Sequence, residues 1–473
     1  MNESAKVQIY NTMTRTKERF VPLKPGQVSM YVCGPTVYDY IHIGNARPVI
    51  FFDVVHRYLT FLGYDVKYVV NFTDVDDKLI RRAAEQGTTV TEVADKYIRA
   101  FLEDEAALGV KPATVHPRVT ENIPEIVSFI ESLIADGHAY ESGGDVFFNT
   151  LSFPEYGKLS HQKLEELQHG IRIEVDERKK HPHDFVLWKA AKPGEIAWPS
   201  PWGEGRPGWH IECSAMIRKY LGDTIDIHGG GFDLPFPHHE CEIAQSESLT
   251  GKPLAKYWMH NGYLNLGQEK MSKSLGNVVN VRDLLKKTSA EALRFVMLST
   301  HYRNPLNYHE ESIKQAENAL ERIGNCLGNL RHRMASLAPD GGAIDVETAE
   351  RVTEICRAFM DKMNDDFNTP DAITQLFELV TLTNQVLQRP VVTRATLELL
   401  DGAFADFDAV LGVLPKPAVE AETLDEEIER LIQERQEARK AKNWARADEI
   451  RDLLTAKGIV LEDTPQGVRW KRK

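Results

Sequence analysis

Residues Val28 to Cys33, VSMYVC, form a short apolar run rich in β-branched and aromatic side chains that Gly34-Pro35 brings to a stop, the pattern of a buried strand. After Asn45, apolar residues Ile50, Phe51, Val54, Val55, Tyr58, Leu59 and Leu62 recur at helical spacing, and Gly63 stands where a helix C-terminal cap belongs. Val66 to Phe72, VKYVVNF, is a second strand-like run. Strand, helix and strand within about 45 residues make a βαβ unit. A chain that starts this way is committed to a parallel sheet, with its ligands at the carboxyl ends of the strands.

At 473 residues, the chain is long enough for two to four compact units with cores of their own. Between about 115 and 215 the pattern loosens into helices and loops studded with proline, which reads as an insertion in the sheet domain. Thr224 to His228 and Lys256 to His260 resume the strand pattern. Beyond about 310 strands are no longer expected. Helical patterning runs over Glu310–Leu337 and Val346–Met363, and the loop Asn364 to Pro370 leads into a further helix. The division expected is 1–309 for the sheet domain, 310–414 for an α-helical bundle and 424–473 for a small charged tail, behind the linker Leu414-Pro415-Lys416-Pro417.

Apolar residues at 42% and charged ones at 27% exclude disorder as the main state. No run of about 18 uncharged apolar residues occurs, and Met1-Asn2-Glu3-Ser4 lacks the pattern of a signal peptide, so no membrane anchor and a cytoplasmic location are expected. Five thinly spread cysteines fit reduced thiols or metal ligands better than a disulfide framework. The net charge of −13 does not exclude nucleic acid, because a footprint needs only a local basic face. From Arg430 to Lys473 there are twelve basic and seven acidic side chains, with Trp444 and Trp470 among them. Lysine and arginine contact phosphate while an exposed indole stacks on an unpaired base. Trp470, flanked by Arg469 and Lys471, is the better stacking candidate, and Trp444 the better candidate for a hairpin core.

Two stretches suit a nucleotide. His42-Ile43-Gly44-Asn45 lies between a strand end and a helix N-terminus, where free N–H groups and the helix dipole favour phosphate. There Gly44 lets a flat base approach and His42 donates to a phosphate oxygen; read alone, His42 serves equally as a cap and Gly44 as a turn. Lys270-Met271-Ser272-Lys273-Ser274 offers two lysines and two hydroxyls to a triphosphate and to the charge that grows on its leaving group.

HIGN followed about 225 residues later by KMSKS resembles the paired signatures of class I aminoacyl-tRNA synthetases. Cys33-Gly-Pro-Thr-Val-Tyr-Asp, Asn71-Phe-Thr-Asp-Val-Asp-Asp-Lys, Arg206-Pro-Gly-Trp-His-Ile-Glu-Cys213 and Phe236-Pro-His-His-Glu-Cys-Glu242 narrow the resemblance to cysteinyl-tRNA synthetases, over essentially the whole chain. It departs at Asn45, where the commoner signature has a second histidine. The resemblance implies a Rossmann-type α/β catalytic domain followed by a helical bundle and a small anticodon-binding domain. It implies an enzyme, a monomer, that joins L-cysteine to tRNA(Cys) at the cost of ATP, with His42, Asn45, Lys270 and Lys273 catalytic and Gly44 in the ATP site.

His238 and Glu242 are four residues apart, so on a helix they share a face, and Cys33 and Cys213 supply two thiolates for a tetrahedral Zn²⁺. Spacing alone favours inert packing for the cysteines and a solvated face for the pair, and it sets His239 and Cys241 off that face. The resemblance assigns these four as the zinc ligands, and Thr73, Trp209, His228 and Asp233 to the cysteine pocket. A soft metal solves a selection problem, since sulfur for oxygen is a near-isosteric change that an apolar pocket discriminates only about a hundredfold. Mg²⁺ is expected on the ATP phosphates. Two rivals are disfavoured: a related ligase that couples activated cysteine to an amino-sugar, because it lacks the C-terminal tRNA-binding region, and a catalytically dead RNA-binding paralogue, because KMSKS and the zinc ligand set are intact.

Overall fold

The structure, a computed structural model, describes residues 6–163, 176–267, 269–270, 278–338, 342–415, 421–456, 459–464 and 467–472. It divides into two units, the first comprising 1–317, 357–374 and 407–412 and the second 318–356, 375–406 and 413–473.

The expected βαβ opening is present. Gln27–Val32 (β1) leads into Ile43–Phe61 (α1), and Asp65–Val70 (β2) returns parallel to β1, with Val28 opposite Val66 and Val32 opposite Val70. Trp209–Tyr220 (α2) precedes Ile225–Gly231 (β3), and Glu240–Thr250 (α3) precedes Ala255–Asn261 (β4). The sheet runs β4-β3-β1-β2, and every pair is parallel. β1 has β2 on one side and β3 on the other, so the order reverses there, and the crevice at the carboxyl ends of β1 and β3 is the natural ligand position.

Helix α1 buries Ile50, Phe51, Phe52, Val54, Val55, Tyr58 and Leu59, each stabilising the sheet domain by about 1.5–3 kcal/mol. Gly34 follows the end of β1 because a Cβ there would lie 1.7 Å from the Asn71 carbonyl oxygen beyond β2. Only glycine lets the two strand ends close.

The stretch expected as helices and loops holds a four-stranded antiparallel sheet: Ala139–Ser142, Asp145–Phe148, Phe185–Ala190 and Gly205–Pro207. Two signals lie within the proline-rich stretch, a Gly143-Gly144 turn between the first two strands and the apolar run Phe185–Ala190, while Gly205–Pro207 is too short to carry a period. Phe148, Leu187 and Trp188 of this sheet share one core with Ile211, Cys213 and Ile243 of the parallel domain.

Helices Glu310–Ala335, Val346–Asn364, Thr369–Leu387 and Arg394–Leu411 follow. In the tail, Ala421–Lys440 and Trp444–Ala456 are helices, and a hairpin of Ile459–Thr464 with Gly467–Arg472 corrects the expectation that strands end near 310. Ile428, Leu431, Ile432, Ile450, Leu454 and Ile459 form the tail's core. Trp470 is half-buried against that core while Trp444 is 58% exposed, the reverse of the expected assignment. Trp470 sits opposite Leu461 in the hairpin, so its register turns it onto the helices; Trp444 opens its helix from the turn.

Candidate active site and metal centre

Four segments far apart in sequence converge at the reversal point of the sheet. Cys33 is the first residue beyond β1, and its N–H reaches the Gly229 carbonyl of β3 (3.3 Å). Cys213 lies on α2, and His238 and Glu242 flank the entry to α3. One ligand atom from each of Cys33, Cys213, His238 and Glu242 lies within 4.8 Å of all the others. The two sulfurs are 3.8 Å apart, and Cys33 Sγ is 3.5 Å from Glu242 Oε1. His238 Nε2 is 2.9 Å from Glu242 Oε1, and His228 Nε2 is 2.7 Å from Glu242 Oε2.

The electrostatics follow from crowding. Burial pushes the Glu242 carboxyl up, but the His228 and His238 rings facing it outweigh burial and hold it at about 2. Burial pulls the His238 ring down, and the Glu242 carboxylate overrides that and raises it to about 10. Burial raises both thiols. The Cys33 hydrogen bond then brings Cys213 down to about 6, while Cys33 stays well above the ordinary thiol value. Two sulfurs and a carboxylate pressed together in a buried pocket need a cation, and here protons on Cys33 and His238 supply it. The donor set of two thiols, an imidazole and a carboxylate suits a tetrahedral, borderline-soft divalent metal.

Residues behind the ligands orient them. His210 Nδ1 is 2.9 Å from His238 Nδ1, a bond that leaves His238 Nε2 facing the ligand cluster, and the Gln245 amide donates to the His210 carbonyl and to Ser214 Oγ. Burial, then the neighbouring His238, depresses His210 to about 3, so it is a neutral acceptor. His239 also faces the cluster. Its Nε2 is 3.3 Å from Cys33 Sγ and 3.9 Å from Glu242 Oε1, and Cys33, His228, His239 and Glu242 form a second converging set. The expectation that it turns away fails because i,i+3 neighbours share a helix face as i,i+4 neighbours do. Cys241 does point elsewhere, onto the Tyr156 hydroxyl (3.3 Å).

Around this cluster, the Trp209 ring stacks on His238 at 4.3 Å and stays 47% exposed, so it forms a wall with one open face. His228 is fully buried and stacks on Trp258 (4.6 Å). Thr73 is buried and donates to Glu212 Oε2 (2.8 Å), the residue before Cys213; burial, then the Cys213 sulfur, raises the Glu212 carboxyl well above its ordinary value. Asp233 lies exposed on the turn after β3.

His42 caps α1 in a reciprocal box. The Asn45 N–H donates to His42 Nδ1 (3.3 Å), and the His42 N–H donates to Asn45 Oδ1 (3.2 Å). With Nδ1 accepting, a neutral ring carries its proton on Nε2, the donor a phosphate oxygen requires. Gly44 is the second residue of the helix. Lys270 closes the short strand Glu269–Lys270, paired with Asn265, and Lys273 lies outside the described residues, as does the Lys270 side chain. Among the acidic residues after Thr73, Asp76 caps the next helix through Leu79 N (2.9 Å) and Asp74 binds Thr120.

Comparison with known proteins decides the family. The description "tRNA synthetases class I (C) catalytic domain" matches residues 19–318. A cysteine–tRNA ligase of Halalkalibacterium halodurans is 58% identical over 466 residues, spanning 98% of this chain and 99% of that protein. The chain belongs to the cysteine–tRNA ligase family.

A cysteine–tRNA ligase of a Geobacillus species is 59% identical over 98% of this chain and 99% of its own length. Further along this class I synthetase, a DALR domain matches 358–415 and a cysteinyl-tRNA ligase anticodon-binding domain matches 421–470. Among solved structures, a methionyl-tRNA synthetase of Mycobacterium tuberculosis, in complex with methionyl-adenylate, shares the fold at a TM-score of 0.59 and 16% identity, covering 82% of this chain and 88% of that one. A putative arginyl-tRNA synthetase of Campylobacter jejuni does so at 0.57 and 14%, covering 82% and 94%. Sequence reasoning gave no role to His210, Gln245 and Glu212, which act through other residues, although His210 and Glu212 lie inside the Arg206–Cys213 motif. Only the pairing of each with a neighbour of an expected ligand could have signalled them. No helix among the described residues is long and apolar enough to cross a membrane.

Proposed function

We propose that this synthetase activates L-cysteine with ATP and transfers it to the 3′-terminal adenosine of tRNA(Cys), choosing cysteine through a Zn²⁺ held by Cys33, Cys213, His238 and Glu242. The observation that carries this reading is the convergence of those four ligand atoms within 4.8 Å at the sheet's reversal point. Zn²⁺ in that donor set supplies a soft Lewis acid that favours a thiolate over the hard hydroxyl of serine. Trp209 walls the pocket beside His238. Thr73 and Asp233 are the candidate partners for the polar groups of the amino acid. Activation places the cysteine carboxylate in line with the α-phosphorus of ATP. His42 Nε2–H and the positive end of the α1 dipole meet the phosphate charge, and Asn45 keeps an amide donor beyond the oxygen it gives to the cap. Lys270 and Lys273, with Mg²⁺ on the phosphates, neutralise the pyrophosphate as it leaves.

In this reading 1–309 is the catalytic domain, 310–414 a helical tRNA-binding domain and 424–473 the anticodon-binding tail. Amino-acid-dependent ATP–pyrophosphate exchange across a panel of amino acids, followed by charging of total tRNA, tests it. Cysteine alone should support exchange and tRNA(Cys) alone should be charged. Exchange with serine at a comparable rate, or full cysteine activation in protein free of zinc, refutes the thiolate account.

A further inference from the structure

The segment 271–277, which carries most of the KMSKS signature, is flanked by two anchors that fasten to one helix. On its outgoing side, the Ile43 N–H donates to the Val279 carbonyl (2.9 Å) and the Val281 N–H to the Ile41 carbonyl (3.1 Å), with His42 opposite Asn280. On its incoming side, Leu264–Leu266 pairs antiparallel with Glu269–Lys270 and parallel with Leu306–Tyr308. This three-stranded sheet is tied to α1 by Arg47, less than two turns beyond His42. The Arg47 side chain is 2% exposed and has no carboxylate partner among the described residues. Its Nη1 donates to the carbonyls of Gly262 (2.7 Å) and Tyr263 (2.6 Å), and its Nη2 to Asn304 (2.6 Å) and, at 3.4 Å each, to His301 and Tyr302.

All five oxygens belong to the two chain segments that feed the small sheet, 262–263 before one strand and 301–304 before the other. Those segments also grip each other. The Gly262 N–H donates to the Tyr302 carbonyl (2.7 Å), the Leu306 N–H to the Tyr263 carbonyl (2.9 Å), and a Cβ on Gly262 would lie 2.6 Å from the Asn304 oxygen. A buried guanidinium against carbonyls alone is a costly arrangement, because no opposite charge offsets its desolvation. Burial lowers Arg47 to about 10, which leaves it charged at neutral pH. A planar fork with five donors can span two chain segments, whereas an ammonium with three donors at one point cannot.

We infer that Arg47 is a positioning residue for adenylate formation: it holds the strand pair ending in Lys270 in register with His42 and Asn45 on its own helix. The inference rests on the reading given under Proposed function. Displacing a charged group by about 1 Å from the reacting phosphates costs about a hundredfold in rate.

Arg47→Lys and Arg47→Met test it in the full-length, metal-loaded protein, with Gly262→Ala as an independent perturbation of the same junction. Pyrophosphate exchange should lose about tenfold to a hundredfold in kcat while the KM for cysteine stays within about twofold. Arg47→Lys should fail to rescue. Backbone hydrogen exchange should accelerate in 264–266 and 306–308 and stay unchanged in the parallel sheet. Wild-type kcat in Arg47→Lys, or a loss of kcat matched by an equal rise in the KM for cysteine and by faster exchange across the whole domain, overturns the inference. Should the wild-type protein itself show no cysteine-dependent exchange, the functional reading fails, and the local hydrogen exchange alone then decides whether Arg47 tethers the sheet.

Discussion

The proton inventory of the candidate metal centre makes a quantitative prediction. A metal ligand must be deprotonated, so uptake of Zn²⁺ expels every proton the four ligands carry. At neutral pH Glu242, held at about 2, and Cys213, at about 6, are already bare. Cys33, well above the ordinary thiol range, and His238, at about 10, each hold one. Zinc uptake should therefore release about two protons, and affinity should rise about a hundredfold per pH unit near neutrality, steepening as pH falls toward 6, where Cys213 begins to hold a third. The assay strips the protein with a chelator and measures zinc affinity by competition with a chromophoric chelator at several pH values. Calorimetry in buffers of different ionisation enthalpy counts the protons directly. A release near zero would mean that the four side chains do not bind the metal together, and a release near four that they do not share charge as the structure has them.

The same shifts fix how the metal-free protein responds to pH. His238 is raised from 6.5 to about 10, so its contribution to stability is complete below about 6.5 and is lost as pH rises through about 10. Glu242 is lowered from 4.5 to about 2, so its contribution is present above about 4.5 and is lost as pH falls through about 2. The zinc-loaded protein, in which the metal takes the place of the His238 proton, should not show the alkaline loss. Parallel melting curves of the two forms between about pH 7 and 10 would detect it.

Asp366 is fully buried at a left-handed position (φ 58°) and accepts from Tyr10 N (2.8 Å), Tyr302 Oη (2.7 Å) and Arg303 Nε (2.7 Å), so Asp366→Ala should destabilise the first unit by about 3 kcal/mol in denaturant titration. A change below about 1 kcal/mol would show that water replaces the carboxylate. In the tail, Trp444→Ala should weaken tRNA binding by about 1–3 kcal/mol at matched salt, because this indole is the exposed one. Trp470→Ala should lower the tail's melting temperature instead, and the opposite allocation of the two effects would restore the expectation drawn from the flanking basic residues.

What was legible in the sequence depended on how local its cause is. Strands β1 to β4 bury most of their residues and each carries a short stretch rich in β-branched or aromatic side chains closed by a turn, so each was found within a few residues of its bounds. The insertion's sheet was legible only in part: the apolar run Phe185–Ala190 and the Gly143-Gly144 turn are local signals, but Gly205–Pro207 has three residues and pairs with Phe185–Ala190 across a long stretch of chain that no local pattern spans. The candidate metal centre was legible only as four residue types in motifs, because what unites Cys33 with Cys213 is the order of strands in the sheet. His210 stood inside the Arg206–Cys213 motif, but its role was not legible because it rests on one nitrogen turned toward His238, which lies on another segment.

Helix α1 joins these observations, since its first five residues serve three ends at once. Its capping box needs an acceptor at the third helical position, and Asn45 meets that need with its side-chain oxygen. The departure from the commoner histidine thus leaves the cap intact, and with it the Nδ1 acceptor that sets the His42 proton on Nε2. Ile43 holds the far flank of the KMSKS segment by its backbone, and Arg47 holds the near flank by its side chain. In the proposed reading, one helix therefore positions the His42 donor and both described flanks of the lysine-bearing segment, so that the geometry of adenylate formation would follow the packing of that helix against the sheet.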